Sequence, residues 1–232
     1  MDSEQTYLKD FPKINALLII VAIGVAYMNI IPGMVADWYD DPNYSHGFLV
    51  PLIAAYFLVQ NWPALKSTSL RPSDAGLFVV IGSLLLLILG YIGTEYFTMR
   101  ASLVFLLAGI VLYWFGWGVL RIASLPIAFL IFMVPLPYIV YDALAFPLKL
   151  LVTDASVSVL KILSKPVVSE GTIIMFPQTV LEVADACSGL RSLMSLVTLA
   201  IALAFLSQKT TVKRTILIIS AVPVAIVTNM IR

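Results

Sequence analysis

Seven apolar runs, joined by short polar connections except for the long segment 141–188, leave this chain few ways to fold. They are Ile14–Val35, Phe48–Trp62, Ala75–Gly93, Ala101–Trp117, Ile122–Val140, Gly189–Leu206 and Thr215–Ile231. A helix needs roughly 20 predominantly apolar residues to cross a bilayer, and most of these runs approach or reach that length. The composition agrees: 61% of residues are apolar and 12% charged, where a soluble domain is about half apolar and a quarter charged. A net charge of +1 gives no electrostatic footprint for nucleic acid. One cysteine excludes an internal disulfide, and one histidine leaves no histidine-rich metal cluster, so neither a cofactor nor a metal is expected. The first run is long, and no small-residue cleavage site follows it, so it reads as a retained span. With no repeat, low-complexity tract or flexible linker, residues 1–232 read as a single integral membrane domain, all-α and polytopic.

Two stretches break the pattern. The second run is short and holds Pro51 near its start; by length alone it is a candidate re-entrant segment. Residues 141–163 are apolar but interrupted by Asp142, Lys149, Asp154 and Lys161. Burying Lys149 and Asp154 in lipid costs about 3 kcal/mol each on insertion scales, so this stretch is expected as an amphipathic helix in the interface. Gly171–Val183 reads as two short strands about a Pro177-Gln178 turn.

Lys and Arg fix the orientation. Lys9 and Lys13, Lys66 and Arg71, Arg121, then Lys209, Lys213 and Arg214 fall on one side if about seven helices cross. That side is cytoplasmic, with the N-terminus. The acidic loop 36–47 and the segment 141–186 then face outward. The same regularity favours a crossing second run and a non-crossing 141–163.

This topology gathers three chemically able side chains at the outer face. Cys187 opens the sixth span within VADACSGLRSL, residues 183–193. Arg232 closes the seventh, and His46 sits in the first outward loop. A cysteine in the first turn of a helix feels the positive end of the macrodipole, which favours thiolate; the alternative is a small buried hydrophobe. Arg191, four residues on, shares a face with the sulfur if the run is helical; it either serves the thiol or pairs with Asp185 or Glu182. Arg232 either snorkels to headgroups or pairs with something at its own face. His46 is expected to cap its loop, since a lone histidine seldom acts alone.

The strings ADACSGLRSL (184–193), VTNMIR (227–232) and NYSHGFLVP (43–51) together resemble the exosortase/archaeosortase family, over nearly the whole chain. The resemblance implies a polytopic membrane thiol protease or transpeptidase. It implies partners that are exported proteins bearing a C-terminal sorting signal: a motif such as Pro-Glu-Pro, a transmembrane tail and a basic cluster. It makes Cys187 the nucleophile and Arg232 the residue stabilising charge beside it. Arg191, Asn229 and His46 are candidate supporting residues; His46 belongs to a different motif of the family and does not stand in for its third catalytic residue. The family's third catalytic residue, usually histidine, is expected beyond Arg232. The chain as given therefore reads as a C-terminally truncated bacterial member, in an inner membrane, with its site on the periplasmic face. A rival class is a non-enzymatic membrane protein, a transporter or an envelope polysaccharide export scaffold. Transporters usually show halves with matching interruptions, and this chain shows no such symmetry.

Overall fold

The computed structural model describes the backbone of residues 13–182 and 190–231, and the side chains of 17–182 and 193–228. Nine helices are found among the described residues: α1 Lys13–Ala26, α2 Ile30–Asp40, α3 Leu49–Gln60, α4 Trp62–Ser67, α5 Ala75–Ile92, α6 Tyr96–Phe129, α7 Tyr138–Ile162, α8 Leu190–Ser207 and α9 Thr211–Ile231. Short 3-10 turns lie at Ser45–Phe48 and Leu130–Met133. The chain divides into two compact units. One holds the residues up to Asp40 with Gly47–Pro135, the other Asp41–His46 with the residues from Leu136 onward.

The first unit is built on the α5–α6 hairpin. Lipid offers helices no hydrophobic reason to associate, so they pack through small residues that let backbones approach. Here Gly76 lies against the Tyr113 backbone, Gly109 against Val80 and Gly90 against Met99. Glu95 closes the hairpin as the N-cap of α6, accepting from the backbone N–H of Phe97 and of Thr98 at 3.2 and 2.6 Å. Burial alone would raise this carboxyl. The Thr98 hydroxyl, those two N–H groups and the Arg100 guanidinium outweigh it and hold the carboxyl below its ordinary value.

The sequence predicts separate spans at 101–117 and 122–140; the structure cuts the chain elsewhere. α6 breaks at Gly116, where φ is +81°. A side chain there would collide with the Arg71 carbonyl. The extended segment before α5 takes up carbonyls next to the break: Arg71 N–H donates to Phe115 and Ser73 N–H to Tyr113. Backbone groups freed inside a membrane protein need such partners. The helix then continues through Arg121, whose charge stays exposed, and stops before Pro135-Leu136-Pro137. Tyr138–Val140 belong to the next helix, α7.

Around this hairpin the Tyr27 hydroxyl, at the α1–α2 bend, lies 2.7 Å from that of Ser102. The Trp38 indole donates to the Met133 carbonyl at 2.7 Å. Gly47 sits under the Trp38 ring, and Phe57 meets Phe129 edge to face.

In the second unit, α7 leads into a three-stranded antiparallel sheet: β1 Val168–Glu170, β2 Ile173–Met175 and β3 Val180–Glu182. The hairpin about Pro177-Gln178 is as expected; β1 is an addition. Val157 of α7 packs with Val167 and Ile174. α8 and α9 pair as a hairpin, with Ala200 and Ala204 buried on one helix and Ala221 and Ala225 on the other. At its loop, Arg214 Nε donates to the Gln208 carbonyl at 2.9 Å, and the guanidinium lies over Phe205.

By length and composition, four stretches among the described residues are fit to cross a membrane: α5, Tyr96–Met133, α7 and Thr211–Thr228. The bent pair Leu17–Ala26 and Ile30–Asp40, at 65°, makes up to five. The expectation of about seven is met only in its coarser form, a mostly helical membrane protein with several spans. Ser45–Gln60 and Leu193–Ser207 are apolar but shorter. α7 passes the same test although residues 141–163 are expected in the interface, because Ala143–Leu160 carries only two charges, Lys149 and Asp154, among mostly apolar residues.

Candidate functional site

Cys187 and Arg232 lie outside the described residues. Arg191 falls in the first turn of α8 and Asn229 in the last turn of α9; their side chains are also outside the described set. What the backbone does give is the pairing of the two helices that carry them. α8 has 18 residues and α9 has 21, so at about 1.5 Å per residue they run roughly 27 and 32 Å. Joined by a three-residue loop, they bring the start of α8 and the end of α9 to one level.

His46 is described. It sits on the turn Ser45–Phe48, is 8% exposed, and its Nδ1 lies 3.5 Å from the Ser195 hydroxyl. Ser195 is one helical turn beyond Arg191 on α8. The turn that places His46 follows from local chemistry. Asp41 accepts from the Asn43 N–H at 2.8 Å, the Tyr44 N–H donates to the Asp41 carbonyl, and the Ser45 hydroxyl donates to the Pro42 carbonyl. Such Asx geometry is what an Asp-Pro-Asn sequence favours. Beside it the Tyr44 hydroxyl donates to the Leu136 carbonyl at 3.4 Å. Burial first, then the charges of Asp41, Tyr141 and Tyr138, push this phenol up to about 12. At neutral pH it is a donor, not an anion.

Among the described residues no cluster of three His, Cys, Asp or Glu side chains is arranged for a metal. One buried charge escapes the sequence reading. In the first unit Arg100 is buried, its Nη1 2.6 Å from Asp37 Oδ2. The available signal is an acidic loop without a base, and an arginine at the end of a span where the positive-inside pattern wants none.

These features define a helical integral membrane protein in which α8 and α9, both later in sequence than its cysteine, form a hairpin. The family model for transmembrane exosortases (Exosortase_EpsH) matches residues 38–232, which takes in Tyr44–Pro51, Cys187 and Arg232. The chain belongs to the exosortase family. Membership points to a membrane transpeptidase role on protein substrates that carry sorting signals. No curated protein and no solved structure matches the chain.

Proposed function

We propose that the chain is a membrane thiol transpeptidase that cleaves a C-terminal sorting signal of the Pro-Glu-Pro type on exported proteins. The observation that carries this reading is the A-C-S-G-L-R string, 186–191, whose last two residues, Leu190 and Arg191, open the described α8, within the family match, with α9 returning to the same level. The Cys187 thiolate attacks the peptide carbonyl carbon just outside the membrane. The C–N bond breaks, the amine leaves with the proton that the thiol gave up, and a thioester remains. An incoming amine or water then resolves it. A free thiol sits near pKa 8.5, so the site has to favour thiolate. The helix start and Arg232 both act in that direction, or Arg232 binds the oxyanion, where one good donor contributes about 3 kcal/mol. Arg191 and Asn229 support it from the same two helix ends, and His46 from its contact with Ser195. The family pattern's remaining residue falls after the position matching Arg232. The site faces outward from an inner membrane, and the substrate's transmembrane tail enters from lipid.

The test is Cys187→Ala in the full protein, with a co-expressed sorting-signal reporter. Loss of processing is expected. Undiminished processing removes the thiol from the mechanism. Fast alkylation of Cys187 by an impermeant reagent added outside checks the facing.

A further inference from the structure

Arg100 has more hydrogen-bonding capacity than its neighbours use. A guanidinium carries five N–H donors in a fixed fork. Its Nη1 is spent on Asp37. Its Nε is buried with no hydrogen-bond partner among the described residues. Its Nη2 lies beside Gly33, 3.8 Å from where a Cβ would stand. The ring of Tyr96 covers one side, 5.5 Å from the guanidinium carbon. Buried donors in native proteins find acceptors in the great majority of cases, so a cation left with spare donors calls for an anion.

Arg100 also forms part of the wall of a cleft of about 810 Å³. Val25, Met28, Leu87 and Ile88 line its apolar part, and Gly33 leaves room next to the guanidinium. Val25, Met28 and Ile88 are more than half exposed, so the cleft opens on an apolar surface. On a membrane protein such a surface meets acyl chains. The depth is also set. Arg100 lies five residues into α6 from the Glu95 cap, about 7.5 Å along the axis, and Tyr91 and Tyr96 stand exposed around that level. Exposed tyrosines mark the headgroup layer.

We propose that this cleft is a binding site for an anionic phospholipid, with the headgroup phosphate on Arg100 and an acyl chain along Val25, Met28, Leu87 and Ile88. A guanidinium makes strong charge-assisted hydrogen bonds to phosphate, and Nη2, on the Gly33 side, is the donor next to the open space. Asp37 does not compete for that place: it is 43% exposed and is not among the residues that line the cleft. The site is independent of the thiol chemistry, and Cys187→Ala leaves it intact.

The experiment measures spin-labelled phosphatidylglycerol against spin-labelled phosphatidylcholine on the full protein in phosphatidylcholine nanodiscs. Phosphatidylglycerol is expected to associate roughly tenfold more strongly, the value of one charged hydrogen-bonded contact. Arg100→Met, which keeps the stem and leaves Asp37 to water, erases the preference. Gly33→Leu fills the space beside Nη2 while Nη1 keeps Asp37, and it too erases the preference; an unchanged melting temperature of this variant separates lost binding from lost folding. Equal association of the two lipids with the unaltered protein overturns the proposal. So does phosphate alone protecting the site with no lipid preference, which would make the ligand a soluble anion. A photo-crosslinker at Ile88 that captures protein and no lipid overturns it in favour of a polypeptide.

Discussion

The Arg100–Asp37 ion pair is lopsided: at 2.6 Å separation the arginine side chain is 7% exposed and the aspartate 43%. Removing either partner breaks the pair, but the orphans differ. Asp37→Asn strands a buried cation, at a cost of about 3 kcal/mol. Arg100→Met leaves a carboxylate that water already reaches, so its cost is nearer about 1 kcal/mol. Thermal unfolding in detergent is expected to rank Asp37→Asn as clearly the less stable of the two.

Two glycines of α5 make opposite predictions. A Cβ on Gly82 would meet nothing within 4 Å, whereas Gly76 abuts the Tyr113 backbone. Gly82→Ala is expected to raise stability by about 0.5–1 kcal/mol through helix propensity. Gly76→Ala is expected to lower it by about 2 kcal/mol, because backbone cannot move aside. Gly116→Ala adds a left-handed φ to a backbone clash and should cost at least as much. Denaturation midpoints in a single detergent check all three.

The Tyr44 phenol, pushed up to about 12 from its ordinary 10.0, sets an alkaline limb. The folded state holds its proton where the unfolded state has lost it. The stability it contributes is therefore fully present below pH 10 and is lost as pH rises from 10 towards 12. Tyr44→Phe should flatten that part of the stability profile and leave the neutral region nearly unchanged.

Glu95 works in the opposite direction. Its carboxyl is lowered from 4.5 in the folded state, so its contribution is present above that value and fades as pH falls below it. Glu95→Ala removes a cap, at about 1 kcal/mol, and should blunt the loss of stability on acidification. Melting curves taken from pH 6 downward read both effects.

His46 is expected to position α8 through Ser195 and not to carry the proton in catalysis. On that view His46→Gln, which keeps a polar partner for the hydroxyl, retains sorting-signal cleavage within about tenfold and leaves its pH profile unmoved. A profile that loses an inflection near 6.5, the ordinary histidine range, would assign the imidazole to proton transfer.

Much of the helical membrane architecture is legible in the residues. Ala75–Gly93 and Thr215–Ile231 become α5 and most of α9, because uninterrupted apolar runs have one outcome in lipid. The break in α6 is less visible: Trp114-Phe115-Gly116-Trp117 looks like the end of a span, yet only the approach of the Arg71 carbonyl makes Gly116 a bend with helix on both sides. Pro135 and Pro137 divide the fifth run, and no periodicity says which helix takes Tyr138–Val140. β1 is three residues long and too short to alternate. At the candidate site, the strings around Cys187 and Arg232 are legible as a family pattern. The contact of His46 with Ser195 and the pairing of Arg100 with Asp37 join residues far apart in sequence, and only folding makes them neighbours.

Arg214 fastens the α8–α9 hairpin at one end, by its bond to Gln208 and its stacking on Phe205. With the base fastened, the way left for the two rods to move against each other is to splay at the far end, against the alanine packing between them. Displacement then grows with distance from the pin, over a lever of about 27 Å, and a tilt of a few degrees shifts the tips by an ångström or two while the base hardly stirs. The end with the greatest travel is the one where α8 begins and α9 finishes.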